Sequence, residues 1–115
     1  MRRVYLDNAA TTSIDPEVID MMSDMMNTHF ANPSSVHSFG RESKIVVENS
    51  RKKIADLINT SPSSIFFTSG GTEADNMAIK CGIEDHNIKH AITSKISHHA
   101  VLYPLEDLAA AGKIE

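Results

Sequence analysis

The stretch Ile65-Phe66-Phe67-Thr68-Ser69-Gly70-Gly71-Thr72-Glu73-Ala74-Asp75-Asn76 restricts the fold of this chain more than any other. A short apolar run of β-type residues, Ile65 to Thr68, ends in Ser-Gly-Gly. Helix-type sequence follows, with Thr72 as the predicted N-cap and Glu73 and Asp75 in the first turn. A strand that turns sharply through glycine into a helix leaves backbone N–H groups aimed at one spot. The helix dipole adds partial positive charge there, so the spot suits a phosphate. Gly70 and Gly71 are expected to supply the close approach and the unusual φ of such a turn, and the Thr72 hydroxyl one more donor. The pattern is neither G-x-x-x-x-G-K-[ST] nor G-x-G-x-x-G, so a nucleotide loop is not predicted. On local grammar alone, a plain βα turn without ligand and a phosphate cup are equal alternatives.

The flanking sequence supplies the architecture. Residues 1–14 are expected to be an extended segment, with Val4-Tyr5-Leu6 followed by a small polar loop from Asp7 to Ser13. Asp15-Pro16-Glu17 opens a helix whose stripe of Val18, Ile19, Met22, Met25 and Met26 faces a core or an interface. Phe30 to Arg41 is irregular, because the residue before Pro33 is pushed out of the α region. A second helix is predicted over 41–58, with Val47, Ile54, Leu57 and Ile58 inward and its charges on a solvated face. After the glycine corner a helix runs from Thr72 to Cys81 or Gly82, stopped by that glycine. His90 to Ser94 is a second strand candidate. Ser97 is the expected cap of a last helix in which Val101, Leu102, Leu105, Leu108 and Ala109 recur until Gly112, and Lys113-Ile114-Glu115 begins a further strand.

Strands alternating with helices of this length predict an α/β fold of βαβ units, with parallel-type strands and covering helices. Two strands are too few for a finished parallel sheet, so the sheet is expected to be incomplete and the chain to be part of something larger. Residues 15–115 are assigned to that one truncated domain.

Composition narrows the function classes. The 115 residues carry a net charge of −4, with lysine and arginine scattered, which argues against a nucleic-acid surface. The single cysteine, Cys81, excludes an internal disulfide and fits a reducing cytosol, and no apolar run approaches a membrane span. A cytoplasmic location is expected. His29, His37, His86 and His90 have no metal-ligand spacing, so no metal site is predicted.

Four blocks in order carry a resemblance: Tyr5-Leu6-Asp7-Asn8-Ala9-Ala10-Thr11-Thr12, Asn32-Pro33-Ser34-Ser35-x-His37-x-x-Gly40-Arg41, Phe67 to Asn76, and His98-His99-Ala100-Val101-Leu102. Together they resemble the N-terminal portion of cysteine desulfurases, pyridoxal-phosphate enzymes of the class V aminotransferase group. The resemblance implies the N-terminal part of the large domain of a fold type I pyridoxal-phosphate transferase. It implies that Gly71 and Thr72 hold the cofactor phosphate, with Ser69 and Gly70 shaping the loop. His98 is implied to stack on the pyridine ring and to shuttle protons, as a flat group titrating near neutral pH can. Read without the resemblance, His98 is a solvent-facing histidine at a helix start.

The family takes sulfur from L-cysteine, leaving alanine and an enzyme persulfide for iron–sulfur cluster assembly or thiolation. It acts as a homodimer with a sulfur-acceptor protein. Its Schiff-base lysine, the aspartate on the pyridine nitrogen and the nucleophilic cysteine are implied to lie beyond Glu115, so these residues alone are expected to be inactive. Neither Lys80, Lys95 nor Cys81 sits in a matching motif. A selenocysteine lyase-type relative, or a non-catalytic module binding a phosphate-bearing ligand or a partner chain, is the alternative.

Overall fold

A computed structural model describes residues 2–115 as two compact units that meet in sequence between Ile65 and Phe66. The first unit holds α1 (Pro16–Thr28), α2 (Ser38–Leu57) and a 3-10 turn (Pro62–Ser64). The second holds α3 (Gly71–Asp85) and α4 (His99–Ala110).

In the first unit, α1 starts as its sequence dictates. The Asp15 carboxylate accepts the Glu17 amide at 2.9 Å and Pro16 occupies the first helical position. None of its residues is buried, because no other element among the described residues packs on its apolar stripe. The stripe, expected to face a core or an interface, is therefore left uncovered within the described residues.

Helix α2 begins three residues earlier than expected, at Ser38, since His37 caps it: its Nδ1 accepts the Gly40 amide at 3.3 Å. The buried positions of α2 are Gly40, Ser43 and Ala55. The expected core residues Leu57 and Ile58 are 84% and 63% exposed, because they fall on the last turn, where the chain leaves the helix.

In the second unit α3 packs on α4, and Ile83, Leu108 and Ile114 form the core with Ile79, Ala91 and Leu105 against it. The predicted halt at Gly82 does not occur. A glycine in a helix interior costs only about 1 kcal/mol, and α3 runs on to Asp85. It ends instead at Asn87, whose φ of 51° lets its amide reach the Glu84 carbonyl while the Ile88 amide reaches that of Ile83. The same pair of bonds closes α2 at Asn59 and α4 at Gly112, the latter as expected from sequence.

No strand forms at 65–68 or 90–94 among the described residues. A strand exists only by pairing, and no paired ladder is formed at 65–68 among the described residues. One pairing step is present: the Glu115 amide donates to Lys89 and the Ala91 amide to Glu115, both at 2.9 Å. That alternation is the parallel pattern, with one residue bonding to two that flank its partner. The partner is His90, whose ring meets the Glu115 carboxylate at 2.9 Å.

Candidate functional site

The glycine corner heads α3. Gly70 is its N-cap, with φ 166° and ψ 179°, and no side chain caps the helix. Thr72, expected as the cap, lies inside the first turn because helical geometry already begins at Gly71. Gly70 is plainly extended, so neither glycine is there for a left-handed φ. Their value is openness: a Cβ built on Gly70 or Gly71 would meet nothing within 4 Å.

Among the described residues, the amides of Gly70, Gly71 and Thr72 donate to no group of the chain. First-turn amides have no intrahelical partner, and here no side chain replaces one. The first-turn carboxylate of α3 is committed to the residue before the corner. Glu73 accepts the Ser69 amide at 2.6 Å and the Ser69 hydroxyl at 2.7 Å. These two bonds, the hydroxyl first, lower the Glu73 pKa from its ordinary value. The Thr68 hydroxyl donates to the Gly70 carbonyl at 3.3 Å and braces the loop on its other flank.

His98 heads α4. It replaces Ser97 as the N-cap because its Nδ1 accepts the Ala100 amide at 3.1 Å, while the Ser97 hydroxyl pairs with that of Thr93. With Nδ1 accepting, the neutral ring carries its proton on Nε2. The ring is otherwise exposed. Its neighbour His99 is turned onto Tyr103, with ring centroids 4.7 Å apart and planes 3° from parallel. The two adjacent histidines thus have different occupations, and only the first is built into a helix start.

One residue that sequence reasoning passed over joins the two corners. The Asn76 amide donates to Thr72 at 3.0 Å along its own helix and to Ala100 at 3.3 Å across to α4. Its motif position in Thr72-Glu73-Ala74-Asp75-Asn76 was visible, one helical turn beyond Thr72, but nothing in the sequence revealed the partner on α4.

The residues fit the phosphate end of pyridoxal phosphate. They supply unpartnered amides, the positive end of a helix and a corner that no side chain fills. The Glu73 carboxylate is turned onto Ser69, which donates both its amide and its hydroxyl to it.

Residues 4–115 match the family described as aminotransferase class-V. The chain is 49% identical over 114 residues to the cysteine desulfurase IscS of Dictyoglomus turgidum, covering 96% of this chain and 29% of that protein. It is 47% identical over 114 residues to the putative cysteine desulfurase IscS 1 of Bacillus subtilis, covering 97% and 30%. Among solved structures, a NifS-like protein superposes with a TM-score of 0.87 at 38% identity, covering 96% of this chain and 31% of that one. DndA from Streptomyces lividans superposes with a TM-score of 0.72 at 41% identity, covering 95% and 31%. The chain therefore spans under a third of the length of these relatives. The long match and the shared fold place these 115 residues in the aminotransferase class-V family.

Proposed function

We propose that the chain is the N-terminal part of a pyridoxal-phosphate-dependent cysteine desulfurase, and that it holds one end of the cofactor. The observation that carries this reading is the open corner of α3, where the amides of Gly70, Gly71 and Thr72 have no partner. Such a corner binds an anion by backbone donors and dipole, without a cation. Relatives named cysteine desulfurase, matched over nearly the whole chain, support the choice of reaction.

Bound pyridoxal phosphate supplies the electron-withdrawing ring that weakens bonds at the amino acid's α-carbon. This chain's own residues bind and orient. Gly71 and Thr72 fix the phosphate, which sets where the ring lies. His98 presents a flat face for stacking and a proton on Nε2, while its Nδ1 keeps the ring anchored to α4. The large domain of fold type I, with further parallel strands beside the Lys89–Ala91 and Glu115 pairing, would complete the sheet. L-cysteine as substrate, a homodimer, a sulfur-acceptor protein in iron–sulfur assembly or thiolation, and a cytoplasmic location belong to the same proposal.

The test is made on the full-length protein. Cysteine-dependent alanine release and the absorbance of bound cofactor are measured for the unmutated protein and for His98→Gln. The expected outcome is retained cofactor with alanine release lowered by about 100-fold or more, the range of a general acid–base group. Saturable cofactor binding without release from either cysteine or selenocysteine would replace the enzyme reading with that of a binding module. The 115 residues alone are expected to release no alanine.

A further inference from the structure

We propose that Asn76 is a positioning residue that locks the head of α4, and with it His98, to the first turn of α3. The proposal rests on the reading of Thr72 and His98 as parts of one site, and it adds what holds them in register.

The reason lies in a proline. Pro104 sits inside α4, where the residue at 104 would ordinarily donate its amide to the Ala100 carbonyl one turn back. Proline has no N–H, so that carbonyl loses its helical partner. Ala100 and Pro104 are both buried, and a buried carbonyl without a donor is costly. The Asn76 amide supplies the missing donor at 3.3 Å, while it also donates to Thr72 at 3.0 Å. A carboxamide has two N–H donors on one nitrogen, enough to serve both carbonyls.

The bond falls on a residue that already matters to His98. The Ala100 amide is the donor that His98 Nδ1 accepts, at 3.1 Å. Asn76 thus grips Ala100 by its carbonyl while Ala100 grips His98 by its amide. The continuous path from Thr72 to His98 is four groups long: a carbonyl, a carboxamide, the Ala100 residue and an imidazole. Proline frees the acceptor, asparagine fills it, and the two helix starts are held together without a covalent tie.

Asn76→Asp keeps the side-chain volume and removes both donors, and Asn76→Ala removes the group. Each is examined in the cofactor-free full-length protein by the ¹⁵N signature of the His98 imidazole and by hydrogen exchange at Val101 and Leu102. Those two amides bond to the His98 carbonyl at 2.9 and 3.0 Å. The unmutated protein is expected to show one tautomer, protonated at Nε2. Both variants should mix the tautomers and exchange the two amides about five-fold faster, the worth of one net hydrogen bond. The decisive arm is Asn76→Ala combined with Pro104→Ala, which returns an N–H to the Ala100 carbonyl. A double variant that stays as loose as Asn76→Ala supports the proposal, since the returned N–H satisfies the Ala100 carbonyl within α4 and leaves α4 untied from α3. An unchanged His98 signature in both single variants overturns it. So does a double variant with protection and a single tautomer restored, which would leave Asn76 as a donor to that carbonyl and not a lock between the helices. These readouts need no cofactor, so the proposal can fail while the pyridoxal-phosphate reading stands, and the reverse.

Discussion

The starts of α2 and α3 both carry a glycine motif that matches the desulfurase pattern, yet they are opposites. At α2 the chain satisfies itself. The Asn32 side chain takes the Ser34 amide at 2.8 Å, the Asn32 carbonyl takes that of Ser35 at 3.0 Å, and His37 takes that of Gly40. The Arg41 guanidinium closes onto the Val36 carbonyl. A Cβ on Gly40 would stand 2.5 Å from the Ser35 carbonyl oxygen and 2.8 Å from that of Asn32. At α3 a Cβ on either glycine would meet nothing within 4 Å, and their amides donate to no group among the described residues. The first glycine is required by the protein's own backbone; the other two leave room for something else. A helix start whose donors are spent is architecture, and one whose donors are unspent is open to an anion.

Alanine substitution should separate them sharply, with the largest effect at the closed corner. Gly40→Ala drives a methyl group into two backbone oxygens that cannot yield as a side-chain tip would, so it is expected to cost about 2–3 kcal/mol. A fall in thermal midpoint of several degrees checks this. Gly71→Ala meets no atom of the chain and improves helix propensity, so stability should hold or rise by up to about 1 kcal/mol. The loss there appears elsewhere: affinity for pyridoxal phosphate, followed by absorbance, should drop roughly ten-fold as the methyl group crowds the anion. Equal stability costs at the two glycines would erase the distinction.

A smaller change probes the same corner from its second donor. Thr72→Val keeps the shape and removes a hydroxyl that has no partner among the described residues. Thermal stability should stay within about 0.5 kcal/mol, as for an exposed position without a structural bond. Cofactor affinity should weaken about three- to ten-fold, the worth of one ordinary net hydrogen bond. A destabilised Thr72→Val with unaltered affinity would make that residue part of the frame instead.

The contrast between the corners also marks what the sequence could disclose. The order of helices was legible, since Asp15-Pro16 and the stops at Gly112 and Asn59 act through neighbouring residues alone. The glycine corner was legible as a turn into a helix, and its emptiness was not. Whether Gly70 needed positive φ or only space depends on coordinates, and space was the answer. Gly82 misled because local propensity loses to α3–α4 packing, in which Ile79 and Ile83 on either side of it are engaged. The strands failed for the opposite reason. Their β-type residues are present, but a sheet is made by paired strands, and among the described residues the pairing step that forms is that of Glu115 with Lys89 and Ala91. Asn76 combines both difficulties, being plain in the motif while its meaning comes from a proline 28 residues later.

The finest effect compares two serine amides. At α2 the Ser34 amide is held by the uncharged carboxamide of Asn32, and at α3 the Ser69 amide is held by the carboxylate of Glu73. Protonation can abolish only the second. The Ser69 hydroxyl, and after it the Ser69 amide, lower the Glu73 pKa below its ordinary 4.5. A depressed carboxylate adds stability that is fully present above the unfolded value and is lost as pH falls through the folded one. Because Glu73 is fully exposed, water and salt screen that gain and it stays small. On acidification the Ser69 amide proton should shift in a single titration with its midpoint below 4.5, while the Ser34 amide shows no step of that origin. Glu73→Gln keeps a carbonyl acceptor without the charge, so it should remove the titration and leave the loop in place. A Ser69 step that survives Glu73→Gln would assign the brace to another group, and the corner would then be held open by something other than its own first turn.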